Sequence, residues 1–326
     1  MHRKLDRVQR KLTQSDIFET EYFEVPVDEK VVRYVDSNHI SRERVNTLFD
    51  KEPTTIPWLE SFKKDEVFVD IGANVGMYSV YAGAISGARV FSFEPESQNY
   101  ADLNQNIFIN GLHRRVSAFC VAMSDADKVD YLYLSRFGPS YSHHDFGQSS
   151  WDKEKRFGEI VVSNEERLPQ GCVSFRLDTL VDSGFIPAPN HIKIDVDGFE
   201  GKVIEGAWKT LQHPGLKSVL LEVDYKIPTS LDAVDRMLAA GWKFSKDQVR
   251  MNRHEILPFE TVQERMKTKL GGQNFIFYKD DFYTDFFERF ISDFVPPHPP
   301  HQPIRDVLPR EPLVPRMLRR LTSRHS

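Results

Sequence analysis

One segment constrains the chain more than any other: Val67-Phe68-Val69-Asp70-Ile71-Gly72-Ala73-Asn74-Val75-Gly76. Five residues suited to a strand buried on both faces run into a turn with two glycines, and a helical pattern follows over 77–85. In an open α/β sheet such a turn lies at the carboxyl edge, where ligands bind. Gly72 lets the backbone turn close to a ligand, Asn74 tolerates a positive φ, and Gly76 allows close packing where the helix begins. Twenty-four residues after Asp70, the run Phe91-Ser92-Phe93-Glu94-Pro95 ends a second strand on a carboxylate. A carboxylate there can accept hydrogen bonds from both ribose hydroxyls of an adenosine.

The glycine spacing is G-x-x-x-G, and Asn74 would crowd a pyrophosphate, so the turn argues against a nicotinamide dinucleotide. A P-loop is excluded because no Gly-Lys-Ser/Thr ending follows. S-adenosylmethionine, which has no phosphates, needs what the segment offers: a tight turn for its methionine part and an acid for its ribose. Asp70 can orient the amino group through water or backbone. A structural glycine turn followed by a chance acid is the plainer alternative.

Short apolar runs bounded by turn residues predict strands at 67–71, 89–93, 116–121, 191–196, 218–222 and 273–278. Helical patterns at 77–85, 97–109, 201–211 and 231–240 alternate with them, which predicts a parallel sheet covered by helices. Asn110 and Gly111 both suit the left-handed end of the second helix. No crossover helix separates 242–245 from 274–278, so that last pair is expected to be antiparallel. The segment 129–134 alternates and leads into 135–164, too long for an ordinary connection. That insert holds Phe137, Tyr141, His143, His144, Phe146, Trp151 and Phe157, and is expected to cover an acceptor.

A second strand, Ile192-Lys193-Ile194-Asp195-Val196-Asp197-Gly198-Phe199-Glu200, also spills acids at its carboxyl end. Lys193 points from a buried strand and needs a carboxylate, for which Asp178 is a candidate. Asp197 and Glu200 have the spacing of a capping box. Asp195 has no such structural excuse: it can contact the cofactor, act as general base toward a hydroxyl, or bind a divalent metal with Asp197 or Glu222. Glu222 ends its strand where a ligand or base would stand, and His143 is a competent base near neutral pH.

Composition removes other classes. With 43 Lys plus Arg against 48 Asp plus Glu, the net charge is −5, and no global basic field draws the chain to nucleic acid. Cys120 and Cys172 are the only cysteines, too few for a disulfide framework or a zinc motif, and a reducing, cytoplasmic setting is expected. Residues 1–12 carry five basic side chains but no apolar run of a signal peptide. Leu5, Val8 and Leu12 fit either a docked terminal helix or a basic helix in peripheral contact with a membrane surface. Eight of the 19 prolines crowd 296–315 and predict an extended tail that ends in Arg316, Arg319, Arg320 and Arg324.

Taken together, the motifs resemble the FkbM family of S-adenosylmethionine-dependent methyltransferases. The pieces that carry the resemblance are the run from Asp70 to Gly76, Phe93-Glu94-Pro95, Asn106 with Asn110, Leu177-Asp178-Thr179-Leu180, the run from Ile192 to Glu200, and Leu221-Glu222. Asp197 stands where many members carry Glu. The resemblance implies an α/β fold, a Rossmann-like class I methyltransferase sheet, mostly parallel with an antiparallel C-terminal edge strand. It implies S-adenosyl-L-methionine as donor and a hydroxyl of a sugar, glycolipid or polyketide-like molecule as acceptor.

Methyl transfer is an in-line displacement, so the protein mainly aligns the acceptor, takes its proton and excludes water. The expected cofactor residues are Asp70, Gly72, Ala73, Asn74, Gly76, Glu94, Ala122 and Met123. The expected catalytic residues are Asp195, Asp197, Glu222 and His143. The domain plan is an N-terminal extension over 1–60, a methyltransferase domain over 61–285 with an inserted loop at 135–165, and a proline-rich basic tail over 286–326. A small-molecule or glycan acceptor is the expected partner, with no nucleic acid and no transmembrane segment. An inactive scaffold with this fold, or a nicotinamide oxidoreductase, is the alternative class.

Overall fold

The computed structural model describes residues 21–49, 51–52, 54–147, 167–224, 228–245, 251–252, 255–256, 273–279, 281 and 283–286. The proline-rich tail, the basic segment at 1–12, and Trp151 and Phe157 of the insert lie outside the described residues. A hairpin of β1 (Tyr22–Val27) and β2 (Lys30–Val35) precedes helices α1 (His39–Asn46) and α2 (Thr55–Glu60). Next come β3 (Val67–Ile71), α3 (Met77–Tyr81) running into a π-helical turn at Ala82–Ser86, β4 (Arg89–Phe93), α4 (Ser97–Ile109) and β5 (Val116–Phe119). Then follow β6 (Ala122–Met123), β7 (Lys128–Leu134), β8 (Asp145–Phe146), β9 (Leu168–Phe175), α5 (Leu177–Asp182) and β10 (His191–Ile194). The remainder is α6 (Glu200–Gly206), α7 (Trp208–Leu211), β11 (Ser218–Val223), α8 (Pro228–Ala239), β12 (Met251–Asn252), β13 (Glu255–Ile256) and β14 (Gln273–Tyr278).

The central sheet has the order β14-β11-β10-β3-β4-β5. Every neighbouring pair is parallel except β11 with β14. The chain winds outward from β3 in one direction and from β10 in the other, so the switch point lies between them, where such sheets bind ligands. All five residues of β3 are buried, the pattern of a strand covered on both faces. Phe68 packs with Trp58, Val90, Leu220 and Ile276 on one face, while Val69, Phe91, Ile192 and Leu221 pack on the other.

Three expectations need correction. The predicted strand at 116–121 is two elements: the Val121 N–H donates to the Phe119 carbonyl, and that tight turn passes the chain from the central sheet to a second sheet of order β6-β9-β7-β8. The predicted helix at 201–211 breaks at Ala207, where the Asp178 carboxylate accepts the Lys209 and Thr210 backbone N–H groups at 3.0 and 2.7 Å and so starts α7. Asp178 is therefore not the partner of Lys193. The antiparallel partner of β14 is β11, and 242–245 adds only a bridge between Lys243 and Tyr278.

Asn110 stays right-handed and only Gly111 turns over at the end of α4. The asparagine has another task. Asn110 accepts the Arg33 N–H at 2.8 Å and donates to the Arg33 carbonyl at 2.7 Å. Asn106 accepts the Val35 N–H at 2.7 Å and donates to the Val75 carbonyl at 2.8 Å, tying β2 and the end of the glycine turn to α4. Asn106 is buried, so Asn106→Leu strands two backbone groups and should lower stability by about 2–4 kcal/mol in urea unfolding. A loss below about 0.5 kcal/mol would show that the Asn106 hydrogen bonds contribute little to holding β2.

Candidate active site

The glycine turn is shaped by a collision it must avoid. Gly72 has φ +77°, and a Cβ there would lie 1.9 Å from the Asp195 carbonyl oxygen, so only glycine lets the loops after β3 and β10 pass this closely. Gly76, at φ +80°, sits against Leu103 of α4, where a Cβ would come within 2.2 Å of a methyl group. Asn74 also takes a left-handed conformation, φ 52°. Its backbone N–H donates to Glu94 Oε2 at 2.8 Å, while Glu94 Oε1 accepts the Glu96 N–H at 2.9 Å. Burial pushes the Glu94 carboxyl up to about 7 despite these donors.

These pieces border a cavity of about 350 Å³ at the carboxyl edge, within the ~300–1,000 Å³ range of ligand pockets. On one side it is walled by Gly72, Asn74, Glu94, Ala122 and Met123, and on the other by His143, Asp195, Asp197 and Glu222. Ala73 reaches only an adjoining pocket of about 50 Å³, which also touches Lys193 and Tyr78. Asp70 and Gly76 border neither space. Strand parity is the reason for Asp70: it is the register partner of Lys193 and accepts the Ser79 hydroxyl beneath the pocket wall. Gly76 acts through packing.

Lys193 is buried and finds its counter-charge two residues along, donating to Asp195 Oδ2 at 2.6 Å. Its ammonium also stands 5.4 Å from the centre of the Tyr78 ring. Burial opposes ionisation of Asp195, yet the Lys193 charge outweighs it and holds that carboxyl below its usual range. Glu222 goes the other way: burial, reinforced by Asp195, Glu200 and Asp197, raises its carboxyl well above the ordinary value. A low-lying Asp195 is a weak proton acceptor, so it fits a fixed negative charge better than a general base.

Asp197 and Glu200 do not form the predicted capping box. Glu200 caps its own loop, accepting the Gly198 and Val196 N–H groups at 2.9 and 3.2 Å. Asp197, at φ 54°, turns instead to the insert, where its Oδ2 accepts the His143 N–H at 2.7 Å and its Oδ1 lies 2.9 Å from His143 Nδ1. The described arm of the insert is also held from the other side. Asn99 and Asn74 both donate to the Tyr141 carbonyl, at 3.0 and 2.9 Å, and Arg44 donates to the Ser140 carbonyl at 2.9 Å. His144 is turned inward. Burial pushes it down to about 4, so its ring is neutral at physiological pH.

Sequence reasoning missed Arg44, Lys51, Glu52, Asn99 and Asn274, all of which border the cavity. Asn274 carried a readable signal, being an amide directly before the apolar run Phe275-Ile276-Phe277. Arg44 and Lys51 sit in the stretch before the first recognised motif, and no spacing marks them. Among the described residues no three His, Cys, Asp or Glu side chains are grouped to hold a metal ion, so Asp195, Asp197 and Glu222 make no ligand set. No helix among those residues is long and apolar enough to cross a membrane.

An open sheet with a switch-point cavity, a strand-end glutamate and a histidine–aspartate contact defines a Rossmann-like α/β enzyme. The methyltransferase FkbM domain matches residues 70–246, and the chain belongs to that family. The hexuronic acid methyltransferase AglP of Haloferax volcanii is 28% identical over 212 residues, covering 65% of this chain and 77% of that protein. Among solved structures, a methyltransferase FkbM from Methylobacillus flagellatus is 15% identical with a TM-score of 0.40, covering 67% of this chain and 44% of its own. Aeropyrum pernix fibrillarin, solved with S-adenosyl-L-methionine bound, is 9% identical with a TM-score of 0.37, covering 70% of this chain and 74% of its own.

The raised carboxyl of Glu94 gives a pH signature. Folded Glu94 keeps its proton up to about 7, whereas a glutamate in the unfolded chain loses it near ~4.3. Its contribution to stability is present below the unfolded value and is lost as pH rises through 7. Glu94→Gln cannot ionise, so its stability relative to the parent chain should climb between pH 5 and pH 8 in urea titrations. A constant difference would mean that Glu94 titrates normally.

Proposed function

We propose that this chain transfers a methyl group from S-adenosyl-L-methionine to a hydroxyl of a sugar, free or in a glycan. The observation that carries this reading is one continuous cavity running from Glu94 and the glycine turn to the paired His143 and Asp197. The residues present fit the donor. Glu94 borders the cavity where ribose hydroxyls would donate to it, and Ala122 and Met123 offer an apolar wall for adenine. The side pocket between Asp195 and Lys51 has the mixed charge that an amino-acid end requires. When bound, S-adenosylmethionine supplies a methyl carbon activated by a positively charged sulfur.

The chain's remaining work is proton removal and alignment. In the tautomer that donates Nδ1–H to Asp197, the basic nitrogen of His143 is Nε2. Asp197 then fixes the ring and stabilises the imidazolium formed when the acceptor hydroxyl gives up its proton. The arm from Ser140 to His144 covers the cavity and excludes water from that transfer. The relative AglP supports a sugar acceptor, and a uronic acid is the first to try.

The test is to incubate the chain with S-adenosylmethionine and methyl glycosides of glucuronic acid, galacturonic acid and glucose, then search by mass spectrometry for one added methyl. Cofactor binding without transfer to any acceptor would favour the inactive scaffold. With an acceptor in hand, His143→Ala should lower kcat about 10²–10⁴-fold while the cofactor Kd stays within twofold. Asp197→Asn should lower kcat in the same direction. Wild-type kcat in His143→Ala would place the base elsewhere.

A further inference from the structure

The cofactor-facing side chains leave half of the cavity unused. Gly72 and Glu94 follow β3 and β4, whereas the opposite half of the sheet continues through β10 and β11 to β14. Strands lie ~4.8 Å apart, so Glu222 on β11 and Asn274 on β14 stand roughly 10 and 14 Å from β3. That places them beyond Asp195 and Asp197, on the side away from Glu94, and both border the cavity. They are register partners across the antiparallel pair, so their side chains share one face.

Their polar atoms are poorly served by the protein. Asn274 Oδ1 is buried without a hydrogen-bond partner, beside an otherwise apolar stretch of β14. A buried acceptor in that state is costly, so it calls for a reason. The Glu222 carboxyl makes no side-chain hydrogen bond or ion pair with any described residue. We propose that Glu222 and Asn274 form the acceptor subsite that reads hydroxyl groups of the sugar ring next to the one that is methylated.

The chemistry selects neutral hydroxyls over ions. Burial and the neighbouring acids favour the protonated form of the Glu222 carboxyl, which both donates and accepts, as does an amide, and a hydroxyl needs both. An anionic group at this end would meet Asp195 and Asp197. Arg44 borders the cavity as well and offers a better place for a uronate carboxylate. An enzyme that hydrogen-bonds a hydroxyl rejects the analogue lacking it, because its own buried groups are then left unpaired.

This inference rests on the sugar-methylating reading, and its test separates the two. Whichever of methyl glucuronide, methyl galacturonide or methyl glucoside is methylated best is compared with its ring-deoxy analogues, measuring KM and kcat. Removal of one hydroxyl beside the methylated position should raise KM about tenfold or more in the parent chain. Asn274→Leu and Glu222→Leu should raise KM for the intact sugar to a similar extent, with cofactor Kd within twofold, and should then be indifferent to that deoxygenation. Glu222→Gln, which keeps a donor and an acceptor, should lose less than Glu222→Leu.

A flat deoxy series in the parent chain overturns the subsite, and needs no variant to fold. Additive losses from variant and deoxygenation overturn it too, as does tighter binding of an amino sugar at that position. Cofactor binding with no transfer to any sugar overturns the sugar reading itself, and the subsite with it.

Discussion

The ammonium of Lys193 is the charge around which this site is assembled. It is buried on β10, faces its register partner Asp70 on β3, donates to Asp195 at the strand end, and lies against the Tyr78 ring of α3. One cation therefore sits at the switch point and holds both diverging halves of the sheet. Its loss would leave the buried Asp70 and the half-buried Asp195 without the charge they share, a defect of about 3–5 kcal/mol. The ionised Asp195 depends on it. So does the contrast with Glu222 one strand away, whose carboxyl burial and the neighbouring acids push up, while Lys193 holds Asp195 down.

The sheet was legible because its strands are short apolar runs punctuated by glycine and acid, and burial on both faces leaves few other readings of Val67-Phe68-Val69-Asp70-Ile71. Periodicity could not show where those runs end in space. Residues 116–121 read as one strand, yet Cys120 and Val121 turn the chain from one sheet into another. The same limit applies to side-chain partners. Lys193 visibly needed a carboxylate, and Asp178 was the candidate read for it, whereas the partner is Asp195. Only the start of α7 shows that Asp178 is already engaged.

The candidate site was read by its strand ends and missed on its covers. Glu94, Asp195 and Glu222 announce themselves as acids closing apolar runs. Arg44, Lys51 and Asn99 do not, because Arg44 on α1, Lys51 in the loop after it and Asn99 on α4 reach the cavity only through tertiary packing, which no local pattern encodes. His143 and Asp197 were each singled out, but the 54 residues between them hide their contact. Both take left-handed conformations, as do Asn74 and Ser140. Non-glycine residues pay for that geometry with strain, and here hydrogen bonds around one cavity hold it in place.

The Tyr141 carbonyl has a consequence of its own. It accepts from Asn74, which belongs to the glycine turn, and from Asn99, which belongs to α4, while two residues later His143 is clasped by Asp197. A single peptide group thus serves as a hinge pin between the part of the cavity beside Glu94 and the part beside Glu222. Any coupling between occupants of the two ends must be reciprocal: whatever factor the first adds to the affinity of the second, the second returns to the first.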